Sequence, residues 1–234
     1  MSNTSDQESG FATPAATMVC LALALTTSAV MAASLSELKL SRAEFEHARI
    51  ENLLAGAQQK AWLSTLGAGN APRLAWVLST TAEPVRALVE SERAKISLAA
   101  ASELEDSAYA PLAIQDLPAL KAGLKKLSPA QALGPALERL DASPVWQACA
   151  RSLVSPFGAA KALQLEPAQS PTGDAVNLHT GEVWRVRVAT ENGWADDRIV
   201  RFTGDALHPA AILKRLFVKQ NGEGNRCEAI FNAS

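Results

Sequence analysis

Residues 11–33 read FATPAATMVCLALALTTSAVMAA, and this apolar run decides how the rest of the chain is interpreted. No charged side chain occurs between Glu8 and Glu37, whereas charged residues occur throughout the sequence that follows. A helix rises about 1.5 Å per residue, so the run is long enough to cross a hydrocarbon core of roughly 30 Å. We therefore predict a membrane-spanning helix over residues 11–35.

A cleavable secretory signal is the alternative interpretation of the same run. Met18 to Leu25 would be its apolar region, and a small-residue cleavage site would follow Ala32. Signal peptides begin with basic residues, but the charged residues before the run are Asp6 and Glu8. The flanking charges therefore favour a retained anchor. Because Lys and Arg are missing on that side, charge alone does not determine the orientation of the span.

A second helical pattern follows the apolar run without a glycine or proline before Gly56. One apolar stripe is formed by Ile50, Leu53, Leu54, Ala57 and Ala61. A charged surface is formed by Glu37, Lys39, Arg42, Glu46 and Arg49. This spacing predicts an amphipathic helix over residues 36–66 that continues the apolar one. We expect one long rod, half in lipid and half packed on a domain.

The middle of the chain predicts one short strand followed by a helical lobe. Residues 84–90 have strand character, and residues 91–98 are expected to form a turn and a returning strand. Between residues 99 and 165 the chain is rich in Ala and Leu and is interrupted by six prolines, which indicates several short helices. Their expected N-caps are Asp116, Ser128 and Ser143.

The last third of the chain predicts antiparallel strands. Residues 183–189 and 198–203 alternate between apolar and polar side chains on either side of Asn192-Gly193, which indicates a hairpin with a longer loop than two residues. Residues 212–218 and 227–231 are expected to add two further strands. The fold class is therefore α+β: a long N-terminal helix packed on a small antiparallel sheet of three to five strands, with an inserted helical lobe.

Composition and spacing favour neither an enzyme nor a nucleic-acid-binding protein. The net charge of -2 creates no field that would attract nucleic acid. We find no Gly-x-Ser-x-Gly elbow, no phosphate-binding glycine loop and no Cys-x-x-Cys. The histidines His47, His179 and His208 lack metal-ligand spacing. We therefore expect no catalytic residues, no metal and no cofactor.

The acidic clusters and the cysteines leave alternatives open. Asp196-Asp197 and Glu103-Glu105-Asp106 could offer oxygens to calcium, but neither matches a calcium-binding loop, so we expect solvated surface at both. Cys149 and Cys227 are eligible for a disulfide in an oxidising compartment, and two separate buried thiols are the alternative.

Ser9-Gly10-Phe11, followed by the apolar run and the polar helix, resembles the start of a type IV prepilin or pseudopilin. The resemblance implies that a prepilin peptidase cuts after Gly10, methylates Phe11, and leaves the apolar segment as membrane anchor and filament core. Most members carry Glu at the fifth mature position, which is Ala15 here. Its absence resembles the K-type minor pseudopilins of the type II (general) secretion pathway, which lie at the filament tip.

Two further segments carry the same resemblance. Residues 85–101 are similar to the K-type strand, acidic turn and Lys-Ile-Asp-Leu-Asn-x-Ala element, with Ser97 and Ala99 in place of the polar pair. The proline-interrupted lobe is similar to the helical insertion of that family. The resemblance implies a leader at 1–10, an anchor at 11–35, a pilin-like helix and first strands at 36–98, an insertion at 99–170 and closing strands at 171–234.

The resemblance implies an assembly component that supports protein export across the outer membrane and catalyses nothing. Its expected partners are other minor pseudopilins, the prepilin peptidase and the inner membrane, with the C-terminal domain in the periplasm. A minor pilin of a type IV pilus is the related alternative, since the same N-terminal features are expected of it. A secreted periplasmic binding domain, with its signal cleaved after Ala32, is the alternative from another class, and an exported enzyme would require a deep pocket with convergent titratable groups.

The substitution Leu23→Lys tests the predicted span. A lysine near the middle of the bilayer costs about 2.5 to 3.5 kcal/mol on the insertion scale. We therefore expect less protein in the membrane fraction after alkaline extraction than for the wild type. Unchanged membrane association would show that the span is misassigned.

Overall fold

The computed structural model describes residues 9–65, 71–80, 83–165, 167–170, 180–205, 210–219 and 227. These residues form a long N-terminal helix, a five-stranded antiparallel sheet and several short helices, so the predicted α+β class is confirmed. The chain divides into two compact units, Met1–Ile50 and Glu51–Ser234.

The first helix, α1, runs without interruption from Ser9 to Thr65. It joins the apolar run and the amphipathic pattern in one element, as the absence of a helix breaker between them predicts. Within the second unit, α1 buries Leu54, Ala57, Gln58 and Ala61. These positions recur every three or four residues, so they lie on one face of the helix.

The sheet is a meander in which each strand pairs with the next one along the chain. Its strands are β1 (Arg73–Leu78), β2 (Val85–Ser91), β3 (Val183–Thr190), β4 (Trp194–Phe202) and β5 (Ala210–Lys219). All four pairings are antiparallel. Strand β1 was not predicted, because its six residues show no regular alternation of apolar and polar side chains.

One face of the sheet, which we call the apolar face, packs against the second half of α1. The rings of Trp62 on α1 and Phe202 on β4 stack with their centroids 4.4 Å apart. The Nε2 group of Gln58 donates to the carbonyls of Val186, at 2.9 Å, and Asp196, at 2.7 Å. Gln58 therefore fixes the position of α1 over the β3–β4 pair.

Because side chains alternate along a strand, the neighbouring residues lie on the opposite side of the sheet. In the register of the sheet, Arg73, Glu90 and Arg185 form one row across β1, β2 and β3. Arg187 lies opposite Asp197 on the β3–β4 pair. We call this side the charged face.

The helical lobe lies between β2 and β3. It contains α2 (Leu98–Glu103), α3 (Leu117–Lys126), α4 (Pro129–Ala132) and α5 (Pro144–Leu153), with 3₁₀ segments at Asp106–Leu112 and Glu138–Leu140. The three predicted N-caps are confirmed, since Asp116, Ser128 and Ser143 accept from the backbone N–H groups of residues 119, 131 and 146. The core of the lobe contains Trp146, whose Nε1 donates to the Leu137 carbonyl at 3.0 Å.

The prediction of a returning strand at residues 91–98 is wrong. A 3₁₀ turn at Glu92–Ala94 follows β2, and α2 begins at Leu98. Ile96 instead bonds to the end of α5 and the segment that follows: its N–H donates to the Leu153 carbonyl, and its own carbonyl accepts from the N–H of Ser155. The backbone groups of Ile96 therefore bond to the lobe and not to a strand of the sheet.

The loop between β3 and β4 has three residues, longer than two as predicted, but β4 begins four residues earlier than the predicted strand at 198–203. Strand β4 begins at Trp194, directly after a tight turn in which the Gly193 N–H donates to the Thr190 carbonyl at 3.1 Å. Gly193 has a φ of 85°, a left-handed conformation that favours glycine. The predicted strand at 227–231 lies outside the described residues, apart from Cys227.

The substitution Gln58→Met tests the contact between α1 and the sheet. Methionine keeps the length of the side chain but cannot donate to the Val186 and Asp196 carbonyls, so we expect the free energy of unfolding to fall by about 1 to 3 kcal/mol. Urea denaturation followed by tryptophan fluorescence measures the change. Gln59→Met, at the exposed neighbouring position, is the matched control and should have little effect. Equal values for the two variants would contradict this role of Gln58.

Candidate functional site

The predicted processing positions lie at the start of α1. The helix begins at Ser9, so Gly10, Phe11 and Ala15 are helical in backbone conformation. The side chains of residues 9–15 lie outside the described part of the structure. The positions are therefore placed on α1, and their side-chain surroundings are not described.

The first unit presents an apolar helical surface. Its large apolar side chains are exposed, with Leu23 at 60% and Phe45 at 68%. By length and composition, the described part of α1 from Ala16 onward is apolar enough to cross a membrane, and the most apolar stretch is entirely unburied. An apolar surface of this size requires an apolar environment such as lipid or another protein.

Three consecutive hydroxyl groups that interrupt this surface are satisfied by the helix itself. The hydroxyls of Thr26 and Thr27 donate to the Leu23 carbonyl at 3.0 and 2.6 Å, and that of Ser28 donates to the Ala24 carbonyl at 2.8 Å. Polar groups in lipid must find such internal partners. These residues dilute the hydropathy of the segment, and yet they leave no unpaired hydroxyl facing an apolar environment.

On the charged face of the sheet, Glu90 is the most enclosed carboxylate. It is 2% exposed and is surrounded by Arg73 on β1, Arg185 on β3 and Lys95, at 2.5, 3.7 and 3.3 Å. The Ser152 hydroxyl donates to its second oxygen at 3.2 Å. Burial by itself raises the pKa of Glu90, but Lys95, Arg73 and Arg185 outweigh it and hold this pKa far below its ordinary range.

Asp197 is the second buried carboxylate of the charged face. It accepts from the Nε group of Arg185 at 2.8 Å and from Arg151 on α5 at 3.0 Å. Burial raises its pKa, and the two arginines overcome that effect and lower the pKa to about 2. Asp197 is therefore ionised at neutral pH.

The prediction that Asp196-Asp197 is solvated surface is wrong. Asp196 is 0% exposed on the apolar face, where it pairs with Arg198 at 2.6 Å and Arg215 at 3.2 Å. Arg215 also contacts Glu51 of α1 at 2.9 Å. Adjacent aspartates resemble a turn in a linear sequence, but here each one meets arginines on its own side of the sheet.

Lys95 and Arg151 connect the lobe to the charged face. The ammonium of Lys95 contacts Glu92 at 2.5 Å and donates to the Arg151 carbonyl at 2.7 Å, in addition to its pairing with Glu90. The guanidinium of Arg151 joins Glu138 of the lobe to Asp197 of the sheet. We call the side chains of Arg73, Glu90, Glu92, Lys95, Glu138, Arg151, Arg185 and Asp197 the charge cluster.

The charge cluster has the properties of a structural connection. Its carboxylates are each neutralised by a fixed cation. Among the described residues, no buried side-chain nitrogen or oxygen lacks a hydrogen-bond partner. The cluster therefore holds the lobe in one position on the sheet. Sequence analysis missed it, although the alternation of Arg185 and Arg187 with valines placed both arginines on one face of β3.

The remaining predicted positions have the following surroundings. Glu103, Glu105 and Asp106 are exposed, as expected, and Asp106 pairs with Lys121 at 2.7 Å. His47 is exposed on α1, whereas His179 and His208 lie outside the described residues. In the described part of the chain, no group of three His, Cys, Asp or Glu side chains could hold a metal ion.

Cys149 and Cys227 form a disulfide in the core of the lobe. Their Cα atoms are 5.1 Å apart, within the usual range for a disulfide, and both residues are buried. The pair joins α5 to a position 78 residues later in the chain, beyond β5. Cys20, on the apolar part of α1, is exposed and unbonded.

The fold and the site together define a protein with one apolar helix long enough to span a membrane, followed by an α+β unit whose lobe is joined to its sheet by buried ion pairs. The chain matches no protein-family model, no curated protein and no solved structure.

The substitution Asp197→Asn tests the charge cluster. It removes the buried carboxylate that Arg185 and Arg151 share and leaves them only Glu90 and Glu138, so we expect the free energy of unfolding at pH 7 to fall by about 3 to 5 kcal/mol. The folded pKa of Asp197, about 2, lies below the unfolded value of about 3.9. The stabilisation by this carboxylate is therefore complete above about pH 5 and is lost progressively as the pH falls through 3.9 and toward 2.

Urea denaturation at pH 7, 4 and 3 measures this difference between wild type and variant. The difference should be largest at pH 7, slightly smaller at pH 4 and clearly smaller at pH 3. Glu191→Gln, at an exposed position in the β3–β4 turn, is the matched control and should change stability by less than about 0.5 kcal/mol. A gap between wild type and Asp197→Asn that widens toward low pH would contradict the assignment.

Proposed function

We propose that this chain is a K-like minor pseudopilin of a type II secretion system. In this proposal it is anchored in the inner membrane by residues 11–35, processed between Gly10 and Phe11, and built into the tip of a periplasmic pseudopilus that supports protein export. It catalyses nothing itself. The observation that carries the proposal is α1, one uninterrupted helix that is apolar and exposed in its first part and buried against an antiparallel sheet in its last part.

The surface of α1 suits a subunit that leaves the membrane to join a filament. A helix satisfies its own backbone amides, so it can pass from lipid to a protein environment without refolding. Its apolar side chains are accommodated equally well by lipid tails and by the helices of neighbouring subunits. The hydroxyls of Thr26, Thr27 and Ser28 are bonded within the helix, so these three groups need no partner from either environment.

Two features support the K-type in particular. Ala15 occupies the position where most pilin-like proteins carry Glu, and a subunit at the tip has no subunit above it for such a charge to contact. The lobe of α2 to α5 is inserted between β2 and β3, which is consistent with the helical insertion that the resemblance implies. A minor pilin of a type IV pilus is the related alternative, since it would use α1 in the same way, as membrane anchor and filament core.

The disulfide supports a location outside the cytoplasm for the second unit. Disulfides persist in oxidising compartments such as the periplasm and are rare in the cytosol. A bond that closes a loop of this length is worth about 4 kcal/mol by the chain-entropy account. A unit that contains it is therefore most stable where oxidation is maintained.

A periplasmic binding domain is the second candidate function. The second unit begins at Glu51, so removal of a signal after Ala32 would leave that unit whole. This candidate does not use the continuity of α1, because cleavage would discard its apolar part. The two candidates therefore predict different mature N-termini.

Mass spectrometry of the mature N-terminus, with and without a co-expressed prepilin peptidase, tests the proposal. We expect a chain that starts at N-methylated Phe11 only when the peptidase is present. Gly10→Val puts a branched side chain at the cleavage position and should prevent processing. Gly56→Val is the matched control: it makes the same change within α1, where no atom lies within 4 Å of the added Cβ, and processing should continue.

The other outcomes decide against the proposal. A start at Ala33 that does not depend on the peptidase would overturn it and would favour the exported binding domain. A chain that keeps residues 1–10 in the presence of the peptidase would also overturn it. Processing of Gly10→Val at the wild-type rate would show that the cut is not made at this glycine.

A further inference from the structure

The two edges of the sheet differ in how they are covered. At β1, the N–H of Ala75 donates to the Gln169 carbonyl at 2.9 Å, and the N–H of Gln169 donates to the Arg73 carbonyl at 3.0 Å. At β5, no further strand of the described chain pairs on the outer side. Strand β5 has ten residues, none of them is buried, and Ile212 is 55% exposed. A long edge strand with no described strand on its outer side is a template for pairing with another strand.

An open cleft lies beside β5 on the charged face, between the strand and the lobe. It is shallow and open to solvent. Leu133 and Pro156 of the lobe and Lys214 and Leu216 of β5 contribute to its lining. A side chain that projects from a strand added to β5 on this face would therefore meet the cleft.

The charges around the cleft favour an acidic occupant. Its lining includes three cationic side chains, Arg151, Arg185 and Lys214, and two anionic ones, Glu92 and Asp197. The two arginines and both carboxylates belong to the charge cluster, in which both arginines pair with Asp197 and Glu92 pairs with Lys95. Lys214 lies on β5 at an exposed position, so it is the cation that an incoming chain would reach first.

The same charges disfavour pairing of β5 with a second copy of itself. Strand β5 carries Lys214, Arg215 and Lys219 and has no acidic residue. Two copies paired along this edge would bring like charges together, and like charges on paired strands are destabilising. The partner is therefore a different strand.

We propose that β5 binds an extended acidic segment of another protein chain by strand addition. In this arrangement a carboxylate lies opposite Lys214 and an apolar side chain lies opposite Leu216, both on the side of the cleft. The register of the sheet places these two β5 residues on the charged face, opposite Ile199 and Asp197 of β4. The inference goes beyond the proposed function and rests on the second unit alone.

A peptide of known sequence tests the proposal on the full-length protein in detergent. The probe is fluorescein-labelled Thr-Val-Thr-Glu-Thr-Val-Thr, whose glutamate has valine two residues away on both sides, so either strand direction fits. The control peptide has lysine in place of glutamate. Fluorescence anisotropy should show saturable binding of the acidic peptide, about fivefold tighter than that of the basic one, the scale of one cross-strand charge pair.

Charge-reversal variants assign the preference to β5. Lys214→Glu should reverse the order of the two peptides, whereas Lys161→Glu, which makes the same change at another exposed position of the second unit, should leave the order unchanged. An unchanged melting temperature for both variants shows that the fold is retained. Hydrogen exchange should slow in β5 when the acidic peptide is added.

Three results would overturn the proposal. The first is the absence of saturable binding, and the second is a Lys214→Glu variant that keeps the wild-type preference. The third is slow exchange of all β5 amides in the free protein, as slow as in β4, which would mean that the chain's own residues 228–234 already occupy the edge.

Discussion

The carboxylate of Glu90 is the point on which the second unit depends. It is enclosed by cations from three parts of the chain: Arg73 from β1, Arg185 from β3, and Lys95 from the segment that leads into the lobe. A buried carboxylate without such partners costs several kcal/mol, so the three cations must be in place together. A shift of β2 by one residue would turn Glu90 to the apolar face. The ion pairs therefore specify both the strand register and the position of the lobe.

Local signals in the sequence were sufficient for the helices. The uninterrupted pattern from residue 11 to residue 66 predicted one rod, and α1 confirms it. Serine or aspartate before each Pro- and Ala-rich segment predicted the N-caps at residues 116, 128 and 143, because capping depends on atoms only three residues apart. The antiparallel strands at 183–189 and 212–218 were also visible from their composition.

Long-range partners account for what the sequence did not predict. Asp196 and Asp197 look like a turn until β3 and β5 supply arginines on both sides of the sheet. Residues 91–98 have the pattern of a strand, but their partners come from the end of α5, about sixty residues later. The charge cluster was missed for the same reason, since charged side chains are ordinarily exposed. Had the start of β4 been predicted at residue 194, after a loop of residues 191–193, the resulting register would have placed Arg187 opposite Asp197. That register would have shown that charged residues of the two strands face each other.

The disulfide also sets an order of events as the chain is made. Cys149 is the earlier partner, and β3, β4 and β5 must all follow before Cys227 exists. At about 5 to 20 residues per second, a separation of 78 residues takes about 4 to 16 s to synthesise. During that interval Cys149 is a free thiol, and the core of the lobe lacks Cys227. The other cysteine of the chain, Cys20, belongs to the apolar part of α1, so the second unit offers Cys149 a single partner and no choice of wrong pairing.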